Sequence, residues 1–132
     1  MIENVIKKID LHSDERGWLA EVIKETEIEK DIKQVYVATI NPQHIRGNHY
    51  HLKRLEWFFI CKGEAEIYLE NIETKEKNII KVSSKTPQRI TIPLGVAHSV
   101  KNTGESIAYL ISAQSDVYNP KDTDTFSYLV CE

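Results

Sequence analysis

Apolar and polar residues alternate with a period of two in short runs along almost the whole chain, and this constrains the fold more than any other feature. Period-two alternation puts successive side chains on opposite faces, as in a half-buried β-strand. Val5–Leu11 reads as a strand, His12–Arg16 as a polar turn and Gly17–Lys24 as a returning strand. Ile28–Lys33 is a charged connection. Gln34–Ile40, rich in β-branched residues, is expected to be a buried strand. Arg54–Cys61, Glu64–Glu70, Asn78–Ser83, Arg89–Ile92, Ser106–Ser112 and Thr125–Val130 follow as strands. Turn residues separate them, including Asn41-Pro42, Lys62-Gly63 and Pro93–Gly95. No segment of about 12 residues carries the 3.6-residue stripe of a helix. Many short strands separated by turns predict an all-β sandwich or closed barrel.

With 132 residues, the chain has the size of one domain. Its 17 basic and 20 acidic residues sum to −3, which argues against nucleic acid as a partner. No apolar run approaches the 18 or so residues a membrane span needs, so no membrane partner is expected. Residues 1–20 are charged throughout and lack the apolar core of a signal peptide. Cys61 and Cys131 have neither metal-ligand spacing nor disulfide-scaffold density. A cytoplasmic protein with reduced thiols is expected.

Histidines are the unusual feature, with His44, His49 and His51 close together. On a strand, His49 and His51 project to the same face. Glu56 lies five residues beyond His51, past an expected bend, and Pro93–His98 brings another imidazole with Asn102 four residues on. Three imidazoles and a carboxylate suit a divalent metal such as Zn, Fe, Mn or Ni. No organic cofactor is expected. Trp57, Phe58 and Phe59 run together, so both faces of their strand are apolar. An oligomer interface, and a homodimer, is expected from that run.

The joint spacing resembles the two signature motifs of the cupin superfamily. His49–Gly63 matches H-x-H-x4-E-x6-G, and Pro93–Asn102 matches P-x-G-x-x-H-x-x-x-N. The leading glycines of the two motifs fall at Gln43 and Pro87 here. The resemblance implies a single-domain cupin barrel, a double-stranded β-helix or jelly roll, over residues 1–132. Residues 1–33 would form an N-terminal extension with the first strands, and 34–132 the barrel. It further implies a metal held inside by His49, His51, Glu56 and His98.

Arg46–Tyr50 resembles the R-G-x-H-Y stretch of dTDP-4-dehydrorhamnose 3,5-epimerases, and Asp14–Trp18 their D-x-R-G-aromatic stretch. Arg46–His51 is similar to the R-G-x-H-x-H of sugar-nucleotide 3,4-ketoisomerases. Gly47–His51, Glu56, Ile92–His98 and Asn119–Phe126 resemble the C-terminal cupin domain of capsular polysaccharide-assembling proteins. These resemblances imply an epimerase or ketoisomerase acting on a nucleotide-linked 4-keto-6-deoxyhexose. The reaction would be proton abstraction next to the ketone, in polysaccharide or deoxysugar biosynthesis.

A histidine suits the base, a tyrosine or metal the enolate oxygen, and arginine the diphosphate. The epimerase resemblance makes His49 the base, with His51 as its acid–base partner in a metal-free site. If both imidazoles ligate a metal, His44, Tyr109 and Tyr118 are the alternative proton carriers. Arg46, Arg16 and Tyr36 are the expected substrate contacts. Two other functions fit the same motifs: a non-catalytic module binding metal and sugar, and a metal-dependent cupin enzyme for another small molecule.

Overall fold

A computed structural model describes residues 2–132. In chain order its strands are β1 (Ile6–Lys8), β2 (His12–Asp14), β3 (Gly17–Leu19), β4 (Gln34–Ile40), β5 (Ile45–Tyr50), β6 (Glu56–Lys62), β7 (Glu64–Asn71), β8 (Lys77–Ser83), β9 (Gln88–Ile92), β10 (Val96–Lys101), β11 (Ala108–Gln114) and β12 (Phe126–Ser127). One sheet runs in the order β1-β9-β6-β11-β4 and faces another in the order β12-β5-β10-β7-β8. Every pairing is antiparallel. Two antiparallel sheets of sequentially distant strands, closed over one interior, make the jelly roll of a cupin barrel. Among the described residues no helix is long and apolar enough to cross a membrane.

The interior is apolar at one end and polar at the other. Register explains the division, because residues opposite one another across a sheet share a face. Leu110 lies between Ile60 and Ala38, and the neighbouring Ala108 opposes Ile40. These rows meet Ile67, Ile80, Val82 and Val100 of the other sheet in one buried cluster. Two rows along, Ser112 lies between Phe58 and Tyr36, and Gln114 lies between Glu56 and Gln34. The polar rows form the floor of the site. Asn102 ties the sheets together. Its amide donates to the carbonyls of Ile40 and Ser106 and its oxygen accepts the Gly104 N–H, all at 2.8 Å.

Several sequence expectations need correction. Residues His12–Asp14 form one arm of a hairpin with β3 rather than a turn, and Glu15-Arg16 is the reversal. The hairpin is isolated and fully exposed, because the chain places no sheet beneath it. Strand Gln34–Ile40 forms as expected but ends its sheet, with Val35 59% and Val37 64% exposed. β-branched residues report a pleated backbone, not burial on both faces. Trp57 is buried by the chain itself, since Ile23 and Ile28 pack against it with Leu55 and Ala113. Its apolar face therefore needs no second copy.

β5 and β10 did not stand out by alternation. Their inward positions include histidines, so a hydrophobic periodicity is missing where the function sits.

Candidate functional site

His49 of β5 and His98 of β10 are directly opposite in register. His51 follows one pleat along on the same face, at the exit of β5. A turn over 52–55 then reverses the chain into β6, whose first residue is Glu56. The bend expected between His51 and Glu56 is thus what returns the carboxylate to the imidazoles. Gly47 lets the two strands approach this closely: its φ is +103°, and a Cβ there would stand 2.7 Å from the His98 carbonyl oxygen.

Glu56 is 1% exposed and held at both oxygens. Its Oε2 accepts from the Ser112 hydroxyl at 2.9 Å and from Gln114 Nε2 at 3.0 Å. Gln34 Nε2 donates to Gln114 Oε1 at 2.8 Å, and Gln34 Oε1 accepts the Tyr118 N–H at 3.0 Å. This chain of amides fixes the Gln114 donor toward the carboxylate. The remaining oxygen, Oε1, faces the histidines.

His51 Nδ1 donates to the Asp124 carbonyl at 2.6 Å, so its Nε2 is the atom 2.5 Å from Glu56 Oε1. His98 is held in the same way, with Nδ1 donating to the Val96 carbonyl at 3.3 Å and Nε2 lying 3.5 Å from Glu56 Oε1. His98 Nε2 is buried and has no hydrogen-bond partner.

A divalent metal fits this arrangement. The ligand atoms of His49, His51, Glu56 and His98 all lie within 4.8 Å of one another. Imidazoles tied at Nδ1 by carbonyls are oriented as metal ligands usually are. His49 differs, because neither ring nitrogen has a hydrogen-bond partner among the described residues. It touches the other rings, 5.0 Å from His51 and 4.7 Å from His98 between centroids, and borders the cavity.

The electrostatics follow from burial. Burial, with His98 and His51 close by, pushes His49 down to about 4, so the ring is neutral at pH 7. Burial alone would raise the Glu56 carboxyl, but the His51 hydrogen bond and the His98 and His51 rings beside it outweigh burial and hold it well below the usual carboxylate range. Tyr36 is pushed up to about 12 by burial and by the Glu56 charge, so its hydroxyl keeps its proton.

A stability prediction follows from these shifts. An unfolded histidine takes up a proton near pH 6.5, whereas folded His49 resists until about pH 4. The unfolded state binds more protons in that window, so stability falls as pH drops through it. Glu56 acts in the same direction at lower pH, because its contribution is lost as the folded carboxyl protonates. The metal-free protein should therefore melt at progressively lower temperature from pH 7 to pH 4. In scanning calorimetry, His49→Gln should flatten the part of that slope between pH 6.5 and pH 4.

A cavity of about 490 Å³ opens above the cluster between β4 and β5. Tyr36, Thr39, Arg46, His49, Phe58 and His98 contribute to its lining. Arg46 Nε donates to the Thr39 carbonyl at 2.9 Å, which holds the guanidinium across the gap between the two sheets. Its terminal nitrogens have no hydrogen-bond partner among the described residues.

Of the residues singled out from sequence, the structure gathers His49, His51, Glu56, His98, Arg46 and Tyr36. It places the others elsewhere. His44 is exposed on the loop before β5, 3.1 Å from the Pro42 carbonyl oxygen through Nδ1. Tyr118 borders a separate surface pocket with Arg54 and Asp122. Tyr109 lies on the outer face of β11, where Lys62 sits over its ring. Arg16, on the β2–β3 hairpin, forms an exposed ion pair with Asp14 at 2.5 Å. Ser112, Gln114 and Gln34 belong to no motif in the sequence. Their signal was present as polar residues at inward positions of otherwise apolar strands.

A family model described as the polysaccharide biosynthesis C-terminal domain matches residues 12–126. The chain is 32% identical over 131 residues to the spore coat polysaccharide biosynthesis protein SpsL of Bacillus subtilis (strain 168), covering 94% of this chain and 87% of that protein. It is similar in structure to the capsular polysaccharide assembling protein CapF from Staphylococcus aureus, with a TM-score of 0.73 and 27% identity. That match covers 92% of this chain but 34% of CapF, so the chain spans about a third of that relative. It is also similar to QdtA, a sugar 3,4-ketoisomerase from Thermoanaerobacterium thermosaccharolyticum in complex with TDP. There the TM-score is 0.78 and the identity 26%, covering 96% of this chain and 89% of that one.

Proposed function

This chain belongs to the polysaccharide biosynthesis C-terminal domain family, and from that premise we propose that it is an epimerase or ketoisomerase of a nucleotide-linked 4-keto-6-deoxyhexose. One observation carries the reading: a neutral, unanchored His49 borders a cavity with an arginine at its mouth and a buried histidine–glutamate cluster at its floor.

A proton on carbon beside a ketone is weakly acidic. His49 accepts it, and the C–H electron pair moves into an enediolate. Return of the proton on the opposite face gives the epimer, and return at the neighbouring carbon gives the isomeric ketone. Tyr36, protonated across the working pH range, donates to a substrate oxygen. Arg46 presents its free nitrogens to the diphosphate, whose oxygens match a guanidinium fork. His51, Glu56 and His98 would hold a divalent metal, which supplies positive charge for the ketone oxygen. Three protein ligands leave the open position that catalytic metal sites keep.

A second arrangement is favoured by the common 4.8 Å span of all four ligand atoms: His49 as a fourth ligand. We expect a homodimer, because β4 leaves Val35 and Val37 exposed at a sheet edge; sedimentation of the purified protein measures this.

Incubation with dTDP- and UDP-linked 4-keto-6-deoxyhexoses in D2O tests the reaction. Deuterium should appear at a ring carbon next to the ketone. Tight binding without exchange anywhere in the panel would make the protein a sugar-binding module instead.

A further inference from the structure

We infer that Asp124 is a positioning residue for the metal-holding pair His51 and Glu56, an inference that rests on their assignment as ligands. Asp124 grips the segment between them twice. Its backbone carbonyl accepts the His51 Nδ1 proton at 2.6 Å, which keeps Nε2 turned toward Glu56. Its carboxylate accepts three successive backbone N–H groups of the turn that follows His51: Leu52 at 2.8 Å on Oδ1, then Lys53 at 3.0 Å and Arg54 at 3.2 Å on Oδ2. One residue therefore sets the ring orientation of one ligand and the shape of the turn that delivers the other.

The device is built rather than incidental. Asp124 is 8% exposed and sits at φ +47°, a backbone region that aspartate tolerates better than most residues. Its neighbours hold it there. Arg54 donates to the Thr123 carbonyl at 2.8 Å and to the Thr125 hydroxyl at 3.2 Å. β12 then pairs Ser127 with His49, so the same C-terminal segment touches both His49 and His51. The arrangement matches the rule that a ligating imidazole gives its other N–H to a fixed acceptor, and loss of such partners costs about 10–100-fold in metal affinity.

The test uses four full-length proteins: wild type, Asp124→Asn, Asp124→Gly and Asp10→Asn. Asparagine keeps the size but points a donor at backbone donors. Glycine suits the positive φ, keeps the carbonyl and deletes the carboxylate, so it carries the test if the asparagine variant does not fold. Asp10, exposed between β1 and β2 with no side-chain hydrogen bond or ion pair among the described residues, serves as the control. Cobalt(II) affinity is read against a competing chelator, together with the visible spectrum of the bound ion. The His51 ring N–H is followed by nitrogen-15 NMR in metal-free protein.

Both Asp124 variants should lose about 10–100-fold in cobalt affinity, alter the spectrum and lose the protected ring N–H signal. Asp10→Asn should match wild type. Wild-type affinity, spectrum and ring protection in the Asp124 variants would overturn the inference. Wild-type protein that takes up no cobalt would refute the metal assignment alone. The ring N–H would then decide on Asp124, its loss supporting the positioning role and its retention overturning it.

Discussion

His49→Gln is expected to lower deuterium exchange next to the substrate ketone by about 10²–10⁴-fold, the usual share of a general base, while leaving the bound metal in place. The two properties separate because His49 is built differently from its neighbours. His51 and His98 each have Nδ1 tied to a backbone carbonyl, and His49 does not. Glutamine is close in size and neutral, as the folded His49 ring is at pH 7, so the cavity keeps its shape and charge. Only the lone pair that takes the proton is lost. Metal analysis beside the exchange assay reads both at once. Loss of metal together with exchange would make His49 the fourth ligand and move the base elsewhere.

Glu56→Gln should have the opposite signature, with metal affinity falling on the order of 10²-fold or more, beyond the 10–100-fold that removing a ligand's supporting partner costs. Exchange should fall with it. The carboxylate is the one anion in the ligand set. Its Oε2 is committed to the Ser112 and Gln114 donors, so the metal-facing Oε1 cannot be replaced by rotation. An amide at this position must turn its NH2 either toward those donors or toward the His51 and His98 nitrogens. Turned toward those donors, the NH2 is buried without an acceptor, which costs about 1–3 kcal/mol; turned toward the histidines, it puts a donor where the metal-facing oxygen was. Thermal melting in the presence of chelator separates that cost from the loss of metal. An unchanged metal affinity in this variant would remove Glu56 from the ligand set.

The strands of the apolar core were legible because their inward faces follow the period-two rule without interruption, as Glu64–Glu70 does through Ala65, Ile67 and Leu69. The site strands were obscured for a physical reason. Ile45–Tyr50 and Val96–Lys101 point histidines inward, so the pattern that reports burial fails where the chemistry is placed. Spacing supplied what periodicity did not. His49, His51, Glu56 and His98 were singled out by their intervals along the chain, and the structure brings these four together. Arg46 stands out for its chemistry and Tyr36 for its place opposite Val35 and Val37 on a strand, and both border the cavity. His44, Tyr109 and Tyr118 had comparable chemistry, but the strand faces and loops that carry them point elsewhere.

The sequence by itself determined the all-β class and the four-residue cluster, because strand period and local spacing are written in neighbouring residues. Only the tertiary structure decided what surrounds that cluster. Gln34 and Gln114 come from strands 80 residues apart in the chain and meet through register. Asp124 reaches back 73 residues to His51. Ile23 and Ile28 cover Trp57, whose place in an apolar run pointed to a partner. Such contacts depend on which strands close the barrel side by side, and residues far apart in the chain carry no local signature of their pairing.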